Sequence, residues 1–274
     1  MPAEWVRALA AVRDRLPPLG DRIIFFNTIG STNDVALALA ARADAEGAIV
    51  IADEQTKGRG RRGRTWFSPP RSGLYVSIVL RPSRARTDPD RATGLLTLAA
   101  GVALAEAIET VTALRADIKW PNDLLVARCK LAGILAEGVG GDTLVRDGDG
   151  TRGVMTVVLG YGINVGQMAP PPELGDRVTS LESELGRPID RAALCAETLA
   201  AISRRYQDLL AGRFDAILDS WRERAPASHG ARVTWNAPSG PQAGVTAGID
   251  DRGRLLVRVD DRMERIVAGE LTWL

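Results

Sequence analysis

The sequence predicts an α/β (α+β) chain: a mixed sheet flanked by helices, followed by a small β-barrel. Three observations predict it. Apolar runs of strand length alternate with helical periodicities through residues 1–225. After Pro226 the character changes to short β-type runs separated by Gly, Asp and Pro, which places a second unit at residues 226–274. The 274 residues, 45% hydrophobic, suffice for one large core and a smaller one.

The elements follow in order. Residues 4–16 form a short amphipathic helix stopped by Pro17 and Pro18. RIIFF (22–26) is a strand, and Ser31 or Thr32 caps a helix that runs to about Ala43 with Val35 and Leu39 on one face. AIVIADEQ (48–55) is a buried strand with a polar end. Residues 56–73 lack periodicity and read as a loop, and LYVSIVLRP (74–82) is a strand that stops at Pro82. Leu95, Leu98, Val102, Ala105 and Ile108 mark a core helix over about 91–110. ADIKW (116–120) is a short strand ending at Pro121, and apolar runs follow at 131–137 and 154–165. Residues 138–153 join them, with a short strand at 143–146 and a DGDG turn that lacks the downstream glutamate of a calcium loop. Residues 166–188 are a long connection. Asp190 caps a helix marked by Cys195, Leu199, Ile202, Tyr206 and Leu209, and Phe214, Ile217, Leu218 and Trp221 mark another. ARVTW, AGVTAGI, LLVRV and MERIV supply the strands of the terminal unit.

Composition excludes several classes. Lys and Arg total 35 against 34 Asp and Glu, too balanced for a chain that coats nucleic acid. One histidine, His229, and two cysteines without metal-ligand spacing, Cys129 and Cys195, make a zinc site or a histidine-based triad unsuitable. Both cysteines read as small buried hydrophobes in a reducing compartment. The longest apolar stretch, 95–105, is interrupted by Thr97 and Gly101 and is shorter than the roughly 20 residues a membrane span requires. No signal core opens the chain, so a cytoplasmic protein is expected.

Four motifs carry chemistry. Lys57-Gly-Arg-Gly-Arg-Arg-Gly-Arg64 places five cations and three glycines in eight residues, able to converge on a polyanion and donate backbone N–H groups to it. Its G-x-G-x-x-G spacing is not a dinucleotide fingerprint, because TWFSPPRSG cannot open a helix. Taken alone, the string is also compatible with a solvated loop or an RNA-binding arm. The second motif is Lys119-Trp120-Pro121-Asn122-Asp123 with Lys130-Leu131-Ala132-Gly133. A lysine at the end of a buried strand can neutralise charge between a carboxylate and a phosphate that must react. Asn122 and Asp123 offer groups to a nucleotide or its magnesium ion, Lys130 adds a cation, and Gly133 leaves room for a ligand. The third, Ser31-Thr32-Asn33 with Gln55, is a helix cap that also suits a compact polar head such as a ureido group. The fourth, Gly160-Tyr161-Gly162-Ile163-Asn164, leaves one sheet face bare, for a flat ligand, a bulge or close packing.

In this order, STN, EQTKGRGRRGRTWFSP, KWPNDLLV with KLAGILAE, and GINV, the sequence resembles the biotin–protein ligases from about Phe25 onward. The ending resembles that family's SH3-like module. The resemblance implies a biotin- and ATP-binding catalytic domain over 1–225 and an SH3-like domain over 226–274. It implies that Ser31, Thr32, Asn33, Gln55, Arg59, Gly60, Arg61, Lys119 and Gly133 bind biotin. Arg64, Trp66, Lys119, Asn122, Lys130 and Asn164 would bind ATP, and Lys119 and Arg61 would be the catalytic pair, with no metal held by the protein alone. The implied reaction uses ATP and Mg²⁺ to form biotinyl-5′-adenylate, then transfers biotin to a lysine of a biotin carboxyl carrier protein. Repressing members carry an N-terminal helix-turn-helix domain. About 20 residues precede the first strand here, so neither DNA nor a membrane is expected as a partner, while a homodimer through edge strands stays open. A lipoate–protein ligase and a non-enzymatic RNA-binding protein are the alternatives.

Overall fold

Strand β3 (Gly73–Leu80) is buried along its whole length and lies inside the larger sheet, beside β2 (Ile49–Gln55), whose first four residues are buried. The computed structural model describes residues 1–147, 150–167, 171–237, 240–267 and 271–274. Around that pair lie β1 (Ile23–Ile29), β4 (Asp117–Lys119), β5 (Asp123–Val126), β6 (Cys129–Asp147) and β7 (Gly150–Asn164). The strand order is β1-β2-β3-β7-β6-β5-β4. Only β1 and β2 are parallel, and the helix α2 (Thr32–Ala40) makes the crossover between them. The remaining neighbours are antiparallel.

The period-2 alternation sorts side chains between two layers. Leu74, Val76, Ile78 and Leu80 of β3, with Leu159, Tyr161 and Ile163 of β7, enter the main core. That core lies beneath helices α3 (Pro89–Thr112), α5 (Arg191–Leu210) and α6 (Phe214–Arg224). On the opposite face Val50, Val79 and Val158 pack against Ala36 and Ala40 of α2. Further along, that face carries Ser77, Gly160, Gly162 and Gly133, which become the floor of the site.

The expected helices are present with shifted ends. The first, α1 (Ala3–Ala11), is shorter than expected and continues as a single 3₁₀ turn. Asp190 caps α5 as predicted, accepting from the N–H groups of Ala192 and Ala193. Helix α3 is longer than its apolar positions suggested, because Asp88 caps it by accepting from Arg91 N–H. Its best stretch has a mean hydropathy of 1.5, long and apolar enough to cross a membrane by composition. This corrects the reading of 95–105 as too short, although 67% of the stretch is buried inside the protein, as a core helix would be. The connection 166–188 holds a 3₁₀ turn and the short helix α4 (Leu181–Leu185). Strand β5 was not expected. The joining segment 138–153 is largely the extension of β6 and β7, which pair as far as Asp147 and Gly150. Gly148 and Asp149 of the DGDG turn lie outside the described residues.

The C-terminal unit is a second antiparallel sheet. Its strands are β8 (His229–Ala237), β9 (Gly240–Ile249), β10 (Leu255–Val259), β11 (Arg262–Ile266) and β12 (Leu271–Trp273), in the order β11-β10-β9-β8-β12. This agrees with a small SH3-like module, although β12 was not foreseen. Val233, Leu255 and Val257 continue the main core. Trp120 Nε1 donates to the carbonyl of Gly253 in the β9–β10 turn at 3.0 Å, fastening the unit to the KWPND segment.

Cys195 is buried within α5, and burial pushes its thiol up to about 12. Cys129 is only half-buried, because it opens β6 rather than lying in the core. Iodoacetamide at mildly alkaline pH is therefore expected to leave Cys195 unmodified in the folded protein and to label it only on unfolding, as read by mass spectrometry.

Candidate active site

The floor is set by strand register. Tyr75, Gly162 and Gly133 face one another across β3, β7 and β6, and so do Ser77, Gly160 and Leu135. A β-carbon at Gly160 would stand 2.1 Å from Asn33 Oδ1, and one at Gly162 would stand 2.3 Å from Trp66 Nε1. At Gly133 it would meet the Trp66 ring at 2.9 Å. The bare strip foreseen in the sequence exists, and the protein's own Asn33 and Trp66 lie on it. Close packing, one of the alternatives left open, is what these glycines provide. Trp66 Nε1 is buried there without a hydrogen-bond partner among the described residues.

Ser31, Thr32 and Asn33 are buried at the start of α2. Ser31 occupies the cap position, but its side chain makes no capping bond. Gln55, from the end of β2, does that job instead. Its Oε1 accepts from Thr32 N–H at 2.8 Å and from Thr32 Oγ1 at 3.0 Å, while its Nε2 donates to Ser68 at 3.0 Å. Ser77 Oγ lies 2.7 Å from Thr32 Oγ1 and 2.5 Å from Asn33 Oδ1, so its single proton serves one of them at a time. Asn33 Nδ2 donates to Glu137 Oε2 at 2.6 Å. Ser68, Ser77 and Glu137 were not singled out in the sequence. Ser77 did leave a signal: it is the one small polar residue in LYVSIVL.

The basic loop is a tight hairpin. Arg59 and Thr65 form an antiparallel bridge, Gly60 N–H donates to Arg64 O at 2.7 Å, and Trp66 N–H donates to Gly58 O at 2.9 Å. Arg62 takes a left-handed φ of 59° at its tip. The next regular strand or α-helix is β3, so no helix opens here and the dinucleotide reading fails. Arg59 Nη2 lies 2.9 Å from Asp34 Oδ1 and 3.0 Å from Glu137 Oε2. Arg61 Nη1 donates to Asn122 Oδ1 at 2.9 Å.

Lys119 ends β4, followed by the cis peptide Trp120–Pro121. Its Nζ stands 5.8 Å from the ring centre of Trp273, on β12 of the C-terminal unit. Asn122 is committed at both ends: Oδ1 accepts from Arg61, and Nδ2 donates to Ile134 O at 2.9 Å. It thereby holds the loop. Lys130 Nζ pairs with Asp123 Oδ1 at 2.7 Å and lies 5.3 Å from the Trp66 ring centre. Asn164 Nδ2 donates to Thr179 O at 2.9 Å, and Val178 bridges to Lys130. These ties bring Glu173, Leu174 and Arg177, from the connection that the sequence could not assign, onto the wall.

All of this surrounds one cavity of about 670 Å³, within the range that holds small-molecule ligands. Ser31, Thr32, Asn33, Gln55, Arg59, Gly60, Arg61, Arg64, Trp66, Lys119, Asn122, Lys130, Gly133 and Asn164 all line it. Arg62, Arg128 and Arg177 add positive charge, and Leu271 of the C-terminal unit closes one side. The carboxylates on the wall are Asp123 and Glu173. Such an excess of cations in a concave site favours a polyanion.

Residues 25–146 match the biotin/lipoate A/B protein ligase family, and residues 229–271 match the biotin protein ligase C-terminal domain. The chain is 33% identical to a biotin–[acetyl-CoA-carboxylase] ligase of Mycobacterium tuberculosis, over 96% of this chain and 98% of that one. It is 35% identical to the bifunctional ligase/repressor BirA of Bacillus subtilis, over 92% of this chain and 74% of that one. Among solved structures, the biotin protein ligase from Aquifex aeolicus in complex with biotin and ATP superposes with a TM-score of 0.75 at 28% identity, covering 93% of this chain and 99% of that one. Together with the polar cluster, the basic hairpin and the strand-end lysine around one cavity, these likenesses establish that the chain belongs to the biotin/lipoate A/B protein ligase family, as a biotin protein ligase.

Proposed function

We propose that the protein activates biotin with ATP and passes it to a lysine of a biotin carboxyl carrier protein, of acetyl-CoA carboxylase or a related carboxylase. The single observation that carries the reading is the cavity itself. Its lining brings the buried polar cluster of Ser31, Thr32 and Asn33 together with several arginines and Lys119. In the first step a biotin carboxylate oxygen attacks the α-phosphorus of ATP, forming the mixed anhydride and releasing pyrophosphate. In the second the acceptor amine attacks the anhydride carbonyl, loses a proton and releases AMP. Both steps call for positioning and charge stabilisation rather than a protein nucleophile.

Ser31, Thr32, Asn33 and Gln55 hold the ureido head in this reading, and Lys119 offsets the charge of carboxylate and α-phosphate. Arg59, Gly60 and Arg61 close over the adenylate and shield it from water. Arg64, Trp66, Asn122, Lys130 and Asn164 lie toward the nucleotide. Magnesium commonly takes one or two carboxylates together with substrate phosphates, and Asp123 on the cavity wall fits that donor set. It would hold the ion, which supplies offset of the triphosphate charge. Residues 1–225 would form the catalytic domain and 226–274 the terminal domain, with Leu271 reaching back to the cavity. The site of action is the cytoplasm.

Arg61 holds the loop to Asn122 and borders the cavity, so Arg61→Ala is expected to speed escape of the adenylate by about tenfold with little change in thermal stability. Single-turnover release of labelled adenylate checks it; an unchanged escape rate removes Arg61 from the lid. Pyrophosphate release dependent on both biotin and ATP, repeated with a carrier domain to read transfer, tests the whole reading. Titration with lipoate beside biotin separates the nearest alternative acid, and activity with lipoate alone would overturn the choice of biotin.

A further inference from the structure

We infer that Glu137 is a positioning residue that couples the polar cluster to the basic loop, so that the head-group site and the lid are set by one carboxylate. This rests on the biotin reading above. Glu137 lies on β6, in register with Val158 of β7, and therefore on a rigid part of the sheet. Its Oε2 accepts from Asn33 Nδ2 at 2.6 Å and from Arg59 Nη2 at 3.0 Å. Ser77 Oγ stands against Asn33 Oδ1. A continuous chain of polar contacts thus runs from Ser77 in the floor through Asn33 and Glu137 to Arg59 in the loop.

Asn33 has little freedom to find another partner, because its amide presses against the bare backbone of Gly160. Without Glu137 a buried amide donor would lose its carboxylate, which is more costly than losing a surface contact. Among the described residues Arg59 would keep its pair with Asp34, whose side chain is 56% exposed and whose pairing is screened by water. Bonds in which both partners are charged, or one is, are the stronger kind, and here one oxygen serves both the head site and the lid. A head group that fixes Asn33 fixes Glu137 and, through it, Arg59. Asp34, which touches Arg59 and starts no contact with the floor, acts on the lid alone.

The test compares E137Q with D34N in the full chain. E137Q is expected to weaken binding of free biotin and to speed adenylate escape, each by about tenfold, which corresponds to about 1.4 kcal/mol. The rate of adenylate formation at saturating substrates changes much less. D34N is expected to speed escape while leaving free-biotin affinity unchanged. In an R59A background, E137Q is expected to add less than about twofold to escape, because the coupled partner is already gone. Escape unchanged in E137Q, or full additivity with R59A, overturns the inference. Should E137Q not fold, the unaltered chain reads the same link: raised salt must speed escape by screening the exposed ion pairs, and salt-independent escape overturns it. A chain that makes no adenylate from biotin and ATP refutes the biotin reading itself, whereas a chain that holds adenylate equally well with and without Glu137 refutes only this coupling.

Discussion

Lys119→Ala is expected to lower biotin- and ATP-dependent pyrophosphate release by about a thousandfold, near the upper end for losing one preorganised charge at a reacting centre. In the proposed reaction the two groups that must meet are a carboxylate and a phosphate, both negative, and they repel each other more strongly in a protein cleft than in bulk water. A cation at the end of β4 would offset that repulsion. The lysine is half-buried, and its ammonium lies over the Trp273 ring, so its loss empties no core position. Thermal unfolding is expected to move by only a few degrees. Lys119→Arg keeps the charge but replaces a compact ammonium with a broad planar group, and an intermediate rate is expected. Near-normal pyrophosphate release by the alanine variant would remove Lys119 from the reacting centre.

The second large effect belongs to a residue with no side chain. Gly160→Ala is expected to raise the KM for biotin by at least about tenfold, because a methyl group there would stand 2.1 Å from Asn33 Oδ1 and must expel that amide from the floor. The contacts of Asn33 with Ser77 and Glu137 would go with it. Strand β7 itself is expected to survive between β3 and β6, with a loss of about 1–3 kcal/mol from overpacking. Gly162→Ala supplies the contrast. Its methyl group would meet Trp66 rather than Asn33, at 2.3 Å from Nε1, so the KM for ATP is expected to rise more than that for biotin. Steady-state kinetics with each substrate varied in turn decides the matter; equal effects of the two variants on both constants would mean that the strip acts only through general packing.

Much of this was legible from local pattern. Helix α3 was readable from Leu95, Leu98, Val102, Ala105 and Ile108, because a helix against a core must repeat its apolar face. The lysine of KWPND, the basic string and the STN cluster were readable because unusual residue types stood in fixed order. What escaped was whatever depends on partners distant in sequence. Strand β5 has four residues and β12 has three, and each is a strand only through its neighbours β4, β6 and β8. Gln55 capping α2 and Asn122 gripping Arg61 are side-chain bonds between separate elements, which leave no periodic trace. The wall contributed by Glu173, Leu174 and Arg177 comes from a stretch without periodicity, placed by Asn164 and by the bridge to Lys130. The resemblance places Trp66 toward a nucleotide, but only the register of Gly162 and Gly133 says which strip of sheet it covers.

Strand β12 brings Leu271 to the cavity wall and Trp273 to the ammonium of Lys119. Chains are made from the N-terminus, and earlier segments begin folding first. A nascent chain released from the ribosome only as far as β7 would carry the loop, the polar cluster and the lysine, but not this last piece of the enclosure. In such an order β12 would join the enclosure after the loop, the polar cluster and the lysine. A protease that trims β12, or a fusion that pulls it from its place beside β8, should disturb the adenylating step itself and not merely the meeting with the carrier.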